Sequence, residues 1–422
     1  MKIDPAATAW LLASTALVLL MTPGLALFYG GMVRSKSVLN MIMMSFVSIP
    51  LVAIAWVVAG YSLVFGRDHG GLIGGLEHLG LHGIGPSDVT SGVPTLLFST
   101  FQLTFAIVTA ALISGAIADR ARFVAWMVFV PLWTLAVYAP IAHWVWNADG
   151  WIMHFGALDY AGGLVVEIAS GASGLAMALV LGPRHGFRKE AMRPHNMPMV
   201  LLGVGLLWFG WFGFNAGSAL AANGTAAAVF LNTLLAGCTG LLGWLIVEQR
   251  RDGRPTTFGA ASGVVAGLVA ITPSCGSVDP LGALAVGLAA GIVCSYAVAW
   301  KLRIGYDDSL DVVGVHLVGG VVGTALIGLL ATGVMTGGVE GLLYGGGFGQ
   351  LGRQLLVIPV VGAFAFTMTF ALAKLIDRVV GFRVDLEEEI SGVDLALHAE
   401  TAYDHGVLGH ANPLVTSSSS SS

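Results

Sequence analysis

Charge is what this sequence has least of. Only 10% of its 422 residues are Asp, Glu, Lys or Arg, against about 25% in an average soluble domain. That scarcity excludes a fully solvated surface. With a net charge of −5, no nucleic-acid partner is expected. Cysteine is nearly absent as well. Cys238, Cys275 and Cys294 lie in or near apolar runs without metal-type spacing, which excludes a disulfide framework and reads as packing. Paired metal ligands or a nucleophile–base pattern such as His-Glu-x-x-His are missing too. No cofactor, no metal site and no enzymatic reaction are therefore expected.

What is present is apolar length. Hydrophobic residues make up 56% of the chain, and mean hydropathy is +0.84. Glycine, at 59 residues, is about twice its usual share, as close packing of helices within lipid requires. Runs of crossing length, about 20 residues, fall near 7–30, 39–65, 93–117, 123–145 and 160–182, then near 197–216, 225–247, 257–273, 281–300, 312–333 and 355–376. Eleven spans of an all-α polytopic membrane protein are predicted. Alternating from an outside N-terminus puts sixteen of the nineteen basic residues on one side and leaves only Lys2, Arg67 and Arg353 on the other. The positive-inside bias thus predicts N-out and C-in, with the multi-pass chain in the lipid bilayer of the plasma membrane. No removable signal peptide is expected, because residues 7–30 run into Phe28-Tyr29-Gly30-Gly31 and a basic turn. Residues 1–377 read as the transmembrane domain and 378–422 as an acidic cytosolic tail, with a disordered serine run at Ser417 to Ser422.

Two spans share a polar signature. Asp159 precedes Glu167 by eight residues, and Gly171 and Gly174 follow. Asp308 precedes His316 by eight, and Gly320 and Gly323 follow. An ionisable group deep in an apolar span is costly and faces a protein interior or polar path. Glycines four and seven positions on share its helical stripe and admit a second backbone. These are spans five and ten, so a division into five, five and one makes the halves, about 7–182 and 197–333, inverted repeats with 355–376 as the extra helix. Eight α-helical residues rise about 12 Å, which predicts Asp159 at the outer end, Asp308 and Asp311 at the inner end, and Glu167 meeting His316 between them.

Longer motifs carry a family resemblance. Thr22-Pro23-Gly24-Leu25-Ala26-Leu27-Phe28-Tyr29-Gly30-Gly31, Asp159-Tyr160-Ala161-Gly162-Gly163, Trp211-Phe212-Gly213-Phe214-Asn215-Ala216-Gly217-Ser218 and Asp311-Val312-Val313-Gly314-Val315-His316 follow in the same order. With them the chain resembles the ammonium transporters of the Amt/Mep/Rh family over nearly its whole length. The resemblance implies a homotrimer in which each protomer has its own narrow pore for ammonium or ammonia. Mapped onto this sequence, recruitment falls on Phe105, Trp146 and Ser218. The aromatic gate falls on Phe105 and Phe214, with Phe101 and Trp211 nearby. Asp159 matches a carboxylate that organises backbone, Thr272 a position in the outer half, and His316 the second of two pore histidines. The first pore histidine is replaced by Glu167, as in some fungal members. The tail is implied to pack on the cytosolic face and to meet a P-II-type signalling protein.

Each of these residues also has an ordinary reading. Phe101 and Phe105, four apart, would otherwise be core packing, and Trp146 an interfacial belt residue. Glu167 and His316 would be a hydrogen-bonded pair that only holds helices together. His143 and His195 read as structural rather than as pore groups. The expectation taken forward is electrogenic ammonium transport with deprotonation past the gate. The alternatives are an ammonium sensor, or a transporter variant that discriminates less well against potassium.

Overall fold

The computed structural model describes residues 2–403, so the serine run lies outside the described residues. Among those, eleven helices are long and apolar enough to cross a membrane: α1 (Pro5–Met32), α2 (Val38–Phe65), α3 (Thr95–Ile117), α4 (Phe123–Phe155), α5 (Gly163–Leu181), α6 (Met197–Gly217), α7 (Gly224–Arg251), α8 (Thr257–Ser274), α9 (Pro280–Ile304), α10 (Val313–Leu330) and α11 (Phe348–Val379). The number and order match the runs read from the sequence, and the helices extend a few residues beyond several of them. In α5 and α8, 83% of the residues in the apolar stretch are buried, against 22% in α11. The first two are therefore core spans and the last a peripheral one. Two short antiparallel hairpins, pairing Asp68 with Gly74 and Val89 with Pro94, fold the α2–α3 connection over one end of the bundle.

Hydrogen bonds between connectors sort the two ends of the bundle. On one end Arg34, Asp119, Arg184 and Asp307, from four different connections, form a buried ionic cluster. Arg184 grips Asp307 with two nitrogens, Nε at 2.9 Å and Nη2 at 2.8 Å, and its Nη1 reaches Asp119 at 3.1 Å. Burial alone would push the Asp307 carboxyl up, but Arg184 and the charge of Arg120 hold it down at about 2. Folded segments of the tail sit on this same end as α12 (Leu386–Ser391) and α13 (Val393–His398). There the Asp394 carboxylate accepts from the backbone N–H groups of Leu39 and Asn40 at the start of α2, where orphan helix donors favour an anion. Glu389 accepts from the His185 N–H and from Arg383. His195 and Asn196 both meet the Tyr403 hydroxyl. At the opposite end Asp4 bonds to Gly92, Trp151 to Gly71 and Thr332 to Ser277 through the backbone.

The duplicated motif departs from the expected continuous α-helix. Asp159 and Asp308 lie in irregular chain before their spans, and the first turns of α5 and α10 are π-helical, Gly163–Ile168 and Val313–Leu317. The 12 Å helical rise between each Asp and its partner therefore does not apply. Gly162 at φ 120° and Asp311 at φ 65° bend the chain so that each Asp folds back onto its own span. The glycine seam is real and reciprocal. A Cβ on Gly171 would lie 2.4 Å from the Leu317 nitrogen, and one on Gly320 would lie 2.9 Å from the Glu167 Cβ. Each glycine four residues past one ionisable side chain thus makes room for the other span.

Two outcomes follow. Gly320→Val should lower the melting temperature in detergent, with a cost of about 1–3 kcal/mol for overpacking, while the same change at Gly349, which has open space around it, should be tolerated. Asp307→Asn removes one of the two buried carboxylates that pair with Arg184 and should cost about 3 kcal/mol by the same assay.

Candidate functional site

Below the hairpin-covered end, α2, α3, α4 and the α6–α7 turn surround an open cavity of about 430 Å³. Phe105, Trp146, Tyr160, Gln102 and Ser218 line it. Ser218 hands its hydroxyl proton to the Phe214 carbonyl at 2.9 Å, so its oxygen remains as an acceptor facing the cavity. The Trp146 ring stands perpendicular to Phe105, 5.7 Å between centroids. The Trp146 indole N–H is directed at the Asp159 carbonyl, 3.4 Å away. The Asp159 carboxylate accepts from the N–H groups of Gly162, Gly163, Leu164 and Val165 at 2.6 to 3.4 Å. It thereby takes up the orphan donors at the start of α5. Burial pushes its carboxyl up and those four donors partly offset the push.

The cavity floor is closed by Phe105 stacked on Phe214, 4.1 Å between centroids and 27° between planes. That spacing leaves no room for water between the rings. Phe101 packs edge-on against Phe105 at 4.9 Å, and Trp211 leans on Phe214 at 5.8 Å. Trp211 is anchored in turn by Thr272, whose hydroxyl accepts its indole N–H at 2.8 Å and donates to the Leu268 carbonyl.

Under the stack runs a slender apolar space bounded by Leu25, Val108, Leu112, Leu207 and Val265. It measures about 10 Å³ to a water molecule, near the minimum for a single small occupant. Its polar wall is Glu167 and His316, 1% and 4% exposed. They meet through Nδ1 and Oε2 at 2.7 Å. With the carboxylate ionised, Nδ1 donates and the ring keeps Nε2 as an acceptor. His316 also lines a second small cavity with Phe28, Ser262 and Asp311, on the side toward the tail. Past it, Asp308 accepts from the Val313 N–H at 2.7 Å, and burial pushes its carboxyl up to about 6.

A sequence model for the Ammonium Transporter Family matches residues 9–403. The chain belongs to the ammonium transporter family. An ammonium transporter of Mycobacterium tuberculosis is 52% identical, over 96% of this chain and 91% of its own. One from Bacillus subtilis is 47% identical over 94% and 98%. Among solved structures, Mep2 of Saccharomyces cerevisiae is similar with a TM-score of 0.86 and 37% identity, covering 92% of this chain and 89% of its own. A sensor Amt protein is similar with the same TM-score and 29% identity, over 93% and 98%.

This ammonium transporter family member brings nearly all the residues singled out from its sequence onto one axis. Phe105, Trp146 and Ser218 share the upper cavity, Phe105 and Phe214 close it, and Glu167 and His316 meet below. Phe101 and Trp211 back the stack, and neither is among the upper-cavity lining. Thr272 supports Trp211 and does not line either main cavity. His143 is wholly buried away from the axis, with one ring nitrogen 2.7 Å from the Val64 carbonyl and the other 2.9 Å from Asp68. Sequence reasoning passed over Gln102, although it lies three positions before Phe105 and so on the same helical face. It also passed over Lys301, which looks like any basic residue at a membrane boundary.

Thr272→Val keeps the shape but removes the only acceptor shown for the buried Trp211 N–H. It should cost about 1–3 kcal/mol of stability. Thr272→Ser should restore the melting temperature.

Proposed function

We propose that this chain carries ammonium across the bilayer through the axis just described, one molecule at a time. The observation that carries the reading is the order of environments: a polar-rimmed cavity, an aromatic stack, an apolar space of single-molecule size, and a buried titratable pair. Ammonium resembles potassium in size and charge, so selection must use its N–H donors and its exchangeable proton. The faces of Phe105 and Trp146 offer cation–π attraction worth about 0.5–2 kcal/mol, and Ser218 offers an acceptor. A bare charge in the apolar space beneath would cost far more than those contacts return. Ammonium therefore deprotonates at or past the Phe105/Phe214 gate, and neutral ammonia passes Glu167 and His316. The proton follows through that coupled pair, which makes net uptake electrogenic.

The same reading includes an outside N-terminus and a cytosolic tail, supported by the sixteen basic residues assigned to one side. It includes five-plus-five inverted halves, supported by the matching π-turns and reciprocal glycines of α5 and α10. A division at residue 377 between bundle and tail, a homotrimer, and a P-II-type protein at the tail face complete it on family grounds. Transport rather than enzymatic chemistry is its content. A second reading, ammonium sensing, is favoured by the similarity to the sensor Amt protein. Flux of methylammonium in reconstituted protein separates the two, since a pure sensor would carry none.

Two measurements test the assignment. Ser218→Ala should raise the half-saturation concentration for ammonium about fivefold, the equivalent of one hydrogen bond of about 1 kcal/mol. Glu167→His, compared with the parent in liposomes by ammonium- and potassium-evoked currents from pH 5 to 8, should shift the pH response and improve rejection of potassium. Superimposable curves would remove Glu167 from the mechanism.

A further inference from the structure

The two mouths of the axis share one pattern and differ in two charged side chains. At the hairpin-covered mouth, the carboxylate of Asp159 is held by four backbone N–H groups. Among the described residues no basic side chain forms an ion pair with it. At the tail-face mouth the counterpart segment carries two carboxylates, Asp308 and Asp311, and a cation is already seated among them. Lys301, near the C-terminal end of α9, donates Nζ to the Asp308 carbonyl at 2.8 Å and pairs with the Asp311 carboxylate. Both side chains are largely sheltered, 14% and 11% exposed. Asp311 also lines the small cavity that begins at His316. The Lys301 ammonium therefore stands beside the exit from the pore pair.

A lysine head group is a primary ammonium with one positive charge and three N–H donors. It is the chemical analogue of the substrate, fixed on a tether. Ammonia that has passed the pair takes up at the exit the proton relayed through Glu167 and His316, and a carboxylate there with no partner would hold the resulting ammonium ion by the same charge-assisted hydrogen bond. A tethered cation competes for that position at an effective concentration in the millimolar range or above, so a free one at lower concentration is excluded. We propose that Lys301 is a built-in occupant of the tail-face mouth: it fills the place on Asp311 where ammonium would otherwise lodge, so that this mouth releases the substrate instead of storing it. The proposal rests on the ammonium-transport reading above. It concerns how tightly each face holds ammonium. The direction of net flux is still set by the gradients.

Lys301 also suits a purely structural role, since a cation is favourable at a helix C-terminus and the residue ties down a loop with Asp311 at φ 65°. Comparing the two faces separates these roles. Uptake of labelled methylammonium is measured in right-side-out and inside-out membrane vesicles, giving a half-saturation constant for each face. For Lys301→Met, the tail-face constant should fall roughly threefold or more, the size of a partly solvated ion pair, while the opposite face is unchanged. Lys301→Arg should retain the parental tail-face constant, and the double variant Lys301→Met/Asp311→Asn should return it to that value. An unchanged tail-face constant in Lys301→Met, equal shifts at both faces, or a double variant that stays low would each overturn the role of Lys301. If Lys301→Met does not fold, Lys301→Gln, alone and then combined with Asp311→Asn, gives the same comparison. Absence of saturable uptake from either face in the unsubstituted protein would overturn the transport reading itself, and with it this one.

Discussion

The structure depends on one requirement: two ionisable side chains deep in apolar helices have to face each other. Neither Glu167 nor His316 can be left toward lipid without a cost of a few kcal/mol. Their 2.7 Å contact brings α5 and α10 together. That crossing is possible only because Gly171 and Gly320 carry no side chain where each span meets the other. The apolar space above the pair is a consequence of the same crossing, since the walls that exclude lipid also exclude water.

The ends of α5 and α10 show how the pair is held in place. A helix beginning inside a bundle leaves backbone donors unsatisfied, and Asp159 and Asp308 fold back to accept from them. Each π-turn then carries the ionisable side chain within it. The backbone carbonyl of Asp159, whose carboxylate caps α5, also receives the Trp146 indole, so the geometry of the upper cavity is coupled to the start of the span that bears Glu167. Backbone satisfaction and site assembly are the same set of hydrogen bonds. At the other end, Arg34, Asp119, Arg184 and Asp307 draw four connections together beneath the bundle, and the tail joins them through Asp394 and Glu389.

Much of this was legible in the chain. The eleven spans follow from apolar length, and Glu167 and His316 stand out because they interrupt it. Phe105 and Phe214 were recognisable only through the family resemblance. An aromatic residue in a transmembrane helix has no property that marks it as part of a stack. Other features were illegible for physical reasons. The eight-residue spacing suggested a continuous helix, and the chain instead turns at Gly162 and Asp311, because capping outweighs regular propagation at a buried helix start. Thr272 sits beside the axis as the anchor of Trp211, a role set by a partner sixty-one residues away. Lys301 counted as one positive charge among many in the boundary tally, with nothing local to connect it to Asp311.

Composition and the placement of charge therefore decide the class of this protein, its number of spans, and which buried residues are too polar to be passive. These are properties of single segments in contact with lipid or water, and hydrophobicity is additive along a segment. Tertiary structure decides the rest: that Phe105 covers Phe214, that the glycines of α5 and α10 are reciprocal, and that Lys301 reaches Asp311. Each depends on the relative position of helices far apart in the chain, and only the packing of α5 against α10 and of their neighbours around them sets those distances.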